Sequence, residues 1–267
     1  AKAKAHDLHV AASTNASSRV MGGGGAALDG LYLRPAGSAE FSHVGLNMPL
    51  LITVAVDPRD PALIHAAGLS GVMRSRDGGR TWRIVTGWDE TEPKSLALDP
   101  RDPDTLYVGL PDGFVVSRDQ GQTWRRAEQG LPARGKYTQS LQIDRTVGGR
   151  VLLGCESGIY LSEDGGGQWR RVFAATDTVN DLQQSPHDPA RWLAVSQSAG
   201  LIESRDGGRT WERRPGLPSE NALYNIAFDP HQPGRLAVAS WTYGLWVSED
   251  DGRTCVGGGR GQRRGGA

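Results

Sequence analysis

The chain lacks most of what a site search starts from. It has two cysteines, Cys155 and Cys255, far apart in the sequence. Two thiols make no disulfide framework, and no Cys or His spacing resembles a zinc site. The six histidines (His6, His9, His43, His65, His187, His231) form no i, i+4 pair, so no metal and no cofactor are expected. No excess of either charge exists: Lys plus Arg and Asp plus Glu are 30 each. That balance argues against a dedicated nucleic-acid surface. No apolar run approaches the ~18 residues needed to cross a bilayer, so no membrane partner is expected. The opening AKAKAHDLHVAAS has no apolar h-region, hence no signal peptide and an expected cytoplasmic location. No stretch keeps a 3.6-residue apolar period, so helices should be few. No G-x-S-x-G, P-loop or dinucleotide fingerprint sits in a strand–turn–helix context.

What is abundant is glycine, 37 residues, with 15 prolines. That mix suits many short strands joined by tight turns. The turns repeat. SRDGGRTW occurs at Ser75 and again, letter for letter, at Ser204. The looser pattern S-x-D-x-G-x-x-W adds SRDQGQTW at Ser117 and SEDGGGQW at Ser162. SEDDGRTC at Ser248 is a fifth copy, with Cys255 where tryptophan belongs. The copies are spaced by 42, 45, 42 and 44 residues. Each follows a glycine and a short apolar run: GVMR, GFVV, GIYL, GLIE and GLWV, with GLYL from Gly30 as a degraded earlier copy.

A second landmark precedes each box. ITVAVDPRDP, KSLALDPRDP and YNIAFDPHQP, with weaker forms at Leu141 and Leu182, are apolar strands closed by a turn. Proline cannot donate to a ladder and so ends the strand. One repeat is therefore four strands, A to D, with the box as the C–D loop. Four strands in ~40–45 residues is the pattern of a β-propeller blade. The expected fold is all-β: a propeller of four-stranded antiparallel blades at roughly 8–46, 50–88, 93–130, 138–175, 179–216 and 222–255, in one domain over 1–255. The first blade lacks strand A and the last has a doubtful strand D; a longer chain would have room for a seventh.

These boxes resemble the Asp-box, or BNR, repeat of sialidases, xyloglucanases, the sortilin luminal domain and photosystem II assembly factor-like propellers. The resemblance runs from about Gly30 to Thr254 and implies the propeller fold; because enzymes and non-enzymes share the repeat, it says little about function. The box residues have structural work. Asp77, Asp119, Asp164, Asp206 and Asp250 should accept loop N–H bonds. Trp82, Trp124, Trp169 and Trp211 should staple each loop to its blade.

The resemblance places ligands on the opposite face, built from D–A and B–C loops. There the expected ligand-binding residues are Trp88, Lys136, Tyr137, Asn180, Asn225, Trp241 and Tyr243, among neighbours including Asp177, Glu220, Asn221 and Tyr224. The loop from Ser13 to Asp29 would serve as a lid. Glycoside hydrolysis needs two carboxylates. Glu92, Glu156 and Asp181 are weak catalytic candidates, and no spacing singles out a pair. A sialidase would carry an arginine triad and an FRIP-like motif; the nearest match, YLRP at Tyr32, has the order wrong.

The ending CVGGGRGQRRGGA reads as a disordered Gly/Arg tail over 256–267, with the look of a frame-shifted or truncated message beyond which strand D and further blades would continue. The expected function is a non-catalytic, monomeric binding or scaffold module for a carbohydrate or protein partner. The alternatives are a sialidase- or xyloglucanase-like glycosidase and an assembly factor holding a protein.

Overall fold

A computed structural model describes residues 7–12, 29–45, 50–215, 222–241 and 244–257. The chain divides into two compact units, residues 1–126 and 127–267. Every strand in both pairs antiparallel with its sequence neighbour, so each sheet is a simple meander.

The first unit holds three blades. The first comprises β1 (Leu8–Ala12), β2 (Gly30–Arg34) and β3 (Ser42–Val44). Among the described residues it has three strands and no strand A. The second runs β4 (Thr53–Val56), β5 (Ile64–Gly68), β6 (Gly71–Ser75) and β7 (Arg83–Ile84). The third runs β8 (Ser95–Leu98), β9 (Leu106–Leu110), β10 (Gly113–Ser117) and β11 (Arg125–Arg126). Between β7 and β8 lies a single 3-10 turn, Trp88–Glu90, the one helical element among the described residues.

The second unit holds three four-stranded blades. The fourth is β12 (Thr138–Ile143), β13 (Val151–Cys155), β14 (Gly158–Ser162) and β15 (Arg170–Ala174). The fifth is β16 (Val179–Gln184), β17 (Trp192–Ser196), β18 (Gly200–Ser204) and β19 (Glu212–Arg214). The sixth is β20 (Leu223–Phe228), β21 (Leu236–Ser240), β22 (Gly244–Ser248) and β23 (Val256–Gly257). The last blade is thus complete. Strand character extends two residues past Cys255 into the expected tail, with Val256 paired to Val247 and Gly257 to Trp246.

The core lies between blades. Inner strands B and C are apolar on both faces, and both faces are covered. β9, β10, β13, β14, β17 and β18 are buried along their whole length. Leu152, Ile159 and Leu161 of the fourth blade pack on Leu182, Trp192 and Ile202 of the fifth. Leu193, Val195 and Leu201 on the fifth blade's other face pack on Ile226, Leu236 and Val238 of the sixth. In the first unit, Leu31 packs on Ile64 and Ala66, while Ala67 and Val72 pack on Leu106, Val108 and Val115. Two-sided burial explains why these strands read as continuous apolar runs rather than alternating ones.

The box closes each blade at one end. Ser75 Oγ accepts the Gly79 N–H at 2.8 Å and donates to Asp77 Oδ1 at 2.7 Å. Asp77 Oδ1 then accepts the Thr81 N–H at 2.9 Å, and Oδ2 the Thr81 hydroxyl at 2.6 Å. The serine-to-glycine bond recurs at Ser117, Ser162, Ser204 and Ser248 within 2.8–2.9 Å. The last box makes all of these bonds without its tryptophan. Bonds from the following threonine, its hydroxyl first, pull the carboxyls of Asp77, Asp119 and Asp250 down to about 2. Gly79 and Gly208 sit at φ 91° and 82°. A side chain at Gly208 would meet Leu152 Cδ2 at 2.6 Å, so the left-handed turn and the close packing both demand glycine there.

The tryptophans staple in two ways. Trp82 and Trp211 donate Nε1–H to their own loop, to Gly79 O at 2.8 Å and Gly208 O at 2.9 Å. Trp124 and Trp169 reach out of their boxes, to Val85 O and Ala127 O, both at 2.8 Å. The first pair belongs to the two SRDGGRTW copies and the second to the variant boxes.

Candidate functional site

Each blade has two ends. The A–B loops join the boxes at one: the N–H of the residue after the box Asp donates to an A–B loop carbonyl. Gly78 donates to Ala62 O at 3.0 Å, Gly165 to Gly149 O at 2.7 Å and Gly207 to Ala190 O at 2.8 Å. The D–A and B–C loops meet at the other, as Glu92 N–H to Leu69 O at 3.0 Å and Glu156 N–H to Tyr137 O at 3.2 Å.

The second end holds the residues singled out in the sequence. In the first unit, Trp88 opens the 3-10 turn with 93% of its surface exposed. Glu92 sits at φ 55° and pairs with Lys94 at 3.5 Å. Both are loop positions, since β8 begins only at Ser95. In the second unit, Lys136 is held in an ion pair with Glu128, which takes up its charge. Glu156 is exposed on the β13–β14 turn. Tyr243, Glu220, Asn221 and the Ser13-to-Asp29 loop short of Asp29 fall outside the described residues.

Three residues converge on the innermost strands. β12, β16 and β20 each carry a register shift near their start, between Thr138 and Ser140, Val179 and Asp181, and Leu223 and Asn225. A bulge places two residues against one and re-aims the side chains beside it. Beside these bulges β12 bonds to β16, and β16 to β20. Ser140 Oγ donates to Val179 O at 3.1 Å. Asn180 Nδ2 donates to Leu223 O at 2.7 Å. Asp181 Oδ2 accepts the Ile226 N–H at 3.0 Å, and the Asn225 side chain hydrogen-bonds the same carboxylate. Gln183 Nε2 donates to Asp181 Oδ1 at 3.2 Å.

Burial dominates the electrostatics of Asp181. Withdrawal from water pushes its carboxyl up to about 6, outweighing the hydrogen bonds that favour the charged form. A carboxylate in this state is a ready hydrogen-bond acceptor that gains a proton on mild acidification.

Beside Asn225 the surface turns aromatic. Trp241, on the β21–β22 turn, is 78% exposed. Its ring lies 5.4 Å from that of Tyr224, inclined by 38°. Trp241 N–H donates to Ala222 O at 3.1 Å, fixing the turn against the start of β20. Asn180, Asp181, Asn225, Tyr224 and Trp241 thus share one end of the fifth and sixth blades, while Trp88 and Glu92 belong to the other unit.

Sequence reasoning passed over Gln183, which orients Asp181, and the bulges themselves. It also missed the ion-pair group at the box end. There Glu203, 1% exposed, meets Arg191 at 2.7 Å, Arg205 at 3.0 Å and Arg214 at 2.5 Å, while Arg191 also pairs with Asp251. An acid inside the strand GLIES was the available signal. Among the described residues, no group of three or more His, Cys, Asp or Glu side chains is arranged to hold a metal ion. No helix among them is long and apolar enough to cross a membrane.

Comparison with known proteins agrees with this architecture. Residues 115–126 match the BNR/Asp-box repeat model. No curated protein matches the chain. Among solved structures it is similar to the GH74 xyloglucanase from Xanthomonas campestris, with TM-score 0.68 and 20% identity over 85% of this chain and 42% of that one. It is also similar to YCF48 from Cyanidioschyzon merolae, with TM-score 0.56 and 16% identity over 82% and 76%. A structure of YCF48 bound to D1 peptide matches with TM-score 0.51 and 19% identity over 78% and 80%. The chain spans less than half the length of the GH74 structures it matches. Likenesses at these identities concern the fold. The repeat match at residues 115–126, four further boxes of the same pattern and the structural neighbours together make this an all-β chain built from β-propeller blades, with a BNR/Asp-box repeat in the third.

Proposed function

We propose that the chain is a non-catalytic binding module whose ligand seats on the end of the fifth and sixth blades opposite the boxes. The observation that carries this reading is the Tyr224–Trp241 pair. A tryptophan 78% exposed and backed by a second ring is a large apolar surface left in water. Such surfaces mark contact sites. The amides of Asn180 and Asn225 and the Asp181 carboxylate share that end of the blades and would supply the polar contacts that give a site its specificity. The ligand is a carbohydrate or a protein segment, the two classes on which aromatic faces flanked by amides act best.

A glycan array and a peptide array, each probed with the wild type and with Trp241→Ala, test the reading. Ligands retained by the wild type should be lost by the variant. If every signal survives in Trp241→Ala, the site lies elsewhere.

One observation favours a glycosidase instead: a carboxyl raised to about 6 is in the range of a general acid. Release of nitrophenol from chromogenic glycosides, abolished in Asp181→Asn, would replace the binding reading with the catalytic one.

A further inference from the structure

Asp181 stands among strands that bring it no cation. β12 (TQSLQI), β13 (VLLGC), β17 (WLAVS), β20 (LYNIAF) and β21 (LAVAS) contain no Lys, Arg or His, and β16 (VNDLQQ) contributes only Asp181 itself. The titratable groups on these strands are Tyr224 and Cys155, and burial pushes the Cys155 thiol up to about 12, so it stays neutral. The partners of Asp181 are two backbone N–H groups, of Ile226 and Leu182, and the amide side chains of Gln183 and Asn225, all of them neutral.

The box end treats its buried acids differently. Asp57, Asp144 and Glu203 are each no more than 2% exposed, and each meets a guanidinium: Arg59 at 2.7 Å, Arg150 at 3.1 Å and Arg191 at 2.7 Å. Burying a carboxylate without a counter-charge is costly. A fold that supplies arginines to these three acids leaves Asp181, partly exposed, with neutral donors only, at the same end of the blades as Tyr224 and Trp241.

We infer that Asp181 is the recognition group for a cation on the ligand, the guanidinium or ammonium of an Arg or Lys side chain on a protein partner. The aliphatic stem of that side chain lies along Tyr224 and Trp241, whose ring faces attract the charge. This assignment rests on the binding-module reading and narrows its ligand to a basic peptide segment. Asn180 and Asn225 hold the flanking backbone.

The test uses the full chain and four blocked tripeptides, Gly-X-Gly with X as Arg, Lys, Gln or Glu, titrated by Trp fluorescence and by calorimetry. At about pH 7.5 the Arg and Lys peptides should bind at least about tenfold tighter than the Gln peptide, the usual size of a charge-assisted bond. The preference should shrink near pH 5, where Asp181 is protonated, and should be absent in Asp181→Asn. A preference that survives in Asp181→Asn, or Gln and Glu peptides that bind as tightly as Arg, would overturn the assignment. Should the variant fold poorly, the wild-type pH series decides the matter without a substitution. The two failures are separable. A neutral or acidic ligand that depends on Trp241 but not on Asp181 defeats the cation assignment alone. No Trp241-dependent ligand of any kind defeats the binding site as well.

Discussion

The two ends of the blades solve the same problem in opposite ways. At the box end five loops use the same serine, aspartate and glycine to satisfy the same backbone groups, and buried acids are matched with arginines. At the other end no two loops share a sequence, aromatic surface is left in water, and Asp181 is left without a counter-charge. Repetition marks where stability is built, and irregularity marks where a surface is free to specialise. Stability and binding should therefore separate under mutation.

The largest loss should come at the box end from Glu203→Gln. It leaves Arg214 facing a neutral amide and Arg191 with Asp251 as its one remaining acid, and breaking a buried pair costs about 3–5 kcal/mol; denaturant titration should show a matching fall in midpoint. Trp169→Ala should follow closely. The side chain is 2% exposed, and emptying a site of that size costs about 3–5 kcal/mol, which equilibrium unfolding monitors directly.

At the opposite end the sign reverses. The Asp181 carboxyl sits near 6 in the folded chain against 3.8 as reference. The folded state therefore binds the proton more tightly, and the contribution of Asp181 to stability falls as pH rises from about 4 to about 6, then stays flat. Asp181→Asn should remove that slope, read as thermal midpoints across a pH series. An unchanged slope would mean that Asp181 is as well solvated as a surface acid. The smallest effect belongs to Trp88→Ser. A side chain 93% exposed should alter stability by less than about 0.5 kcal/mol, whatever it does to binding.

The box end was legible in the sequence because its chemistry is local. Ser75, Asp77, Gly79 and Thr81 satisfy one another within seven residues, so the motif carries its own geometry. The Asp-Pro landmarks that end strand A were legible for the same reason. Blade six shows the limit of that logic: the missing tryptophan at Cys255 suggested a broken strand D, yet the serine and aspartate alone close the loop, and β23 still pairs with β22. The bulges of β12, β16 and β20 were not legible, because a register shift belongs to a pair of strands and neither strand alone encodes it. The isolation of Asp181 was hidden likewise. It depends on which five strands surround it, and none of them is its neighbour in sequence except β17. Trp82 and Trp124 look equivalent in their boxes, but the choice between a carbonyl inside the loop and one beyond it is made by packing.

The bulge contacts have an evolutionary consequence. Ser140 and Asn180 each reach a main-chain carbonyl of the following blade, Val179 O and Leu223 O. A carbonyl is present whatever residue bears it. The fourth and fifth blades thus each bring a donor, and the fifth and sixth each offer an acceptor that no substitution removes. A gene duplication that adds a blade arrives with half of each joint already made, and sequence drift in one copy does not oblige its neighbour to change. Fold growth by copying and loop divergence by drift can then proceed independently, which fits a chain that spells one loop twice without variation and no loop of the opposite end twice at all.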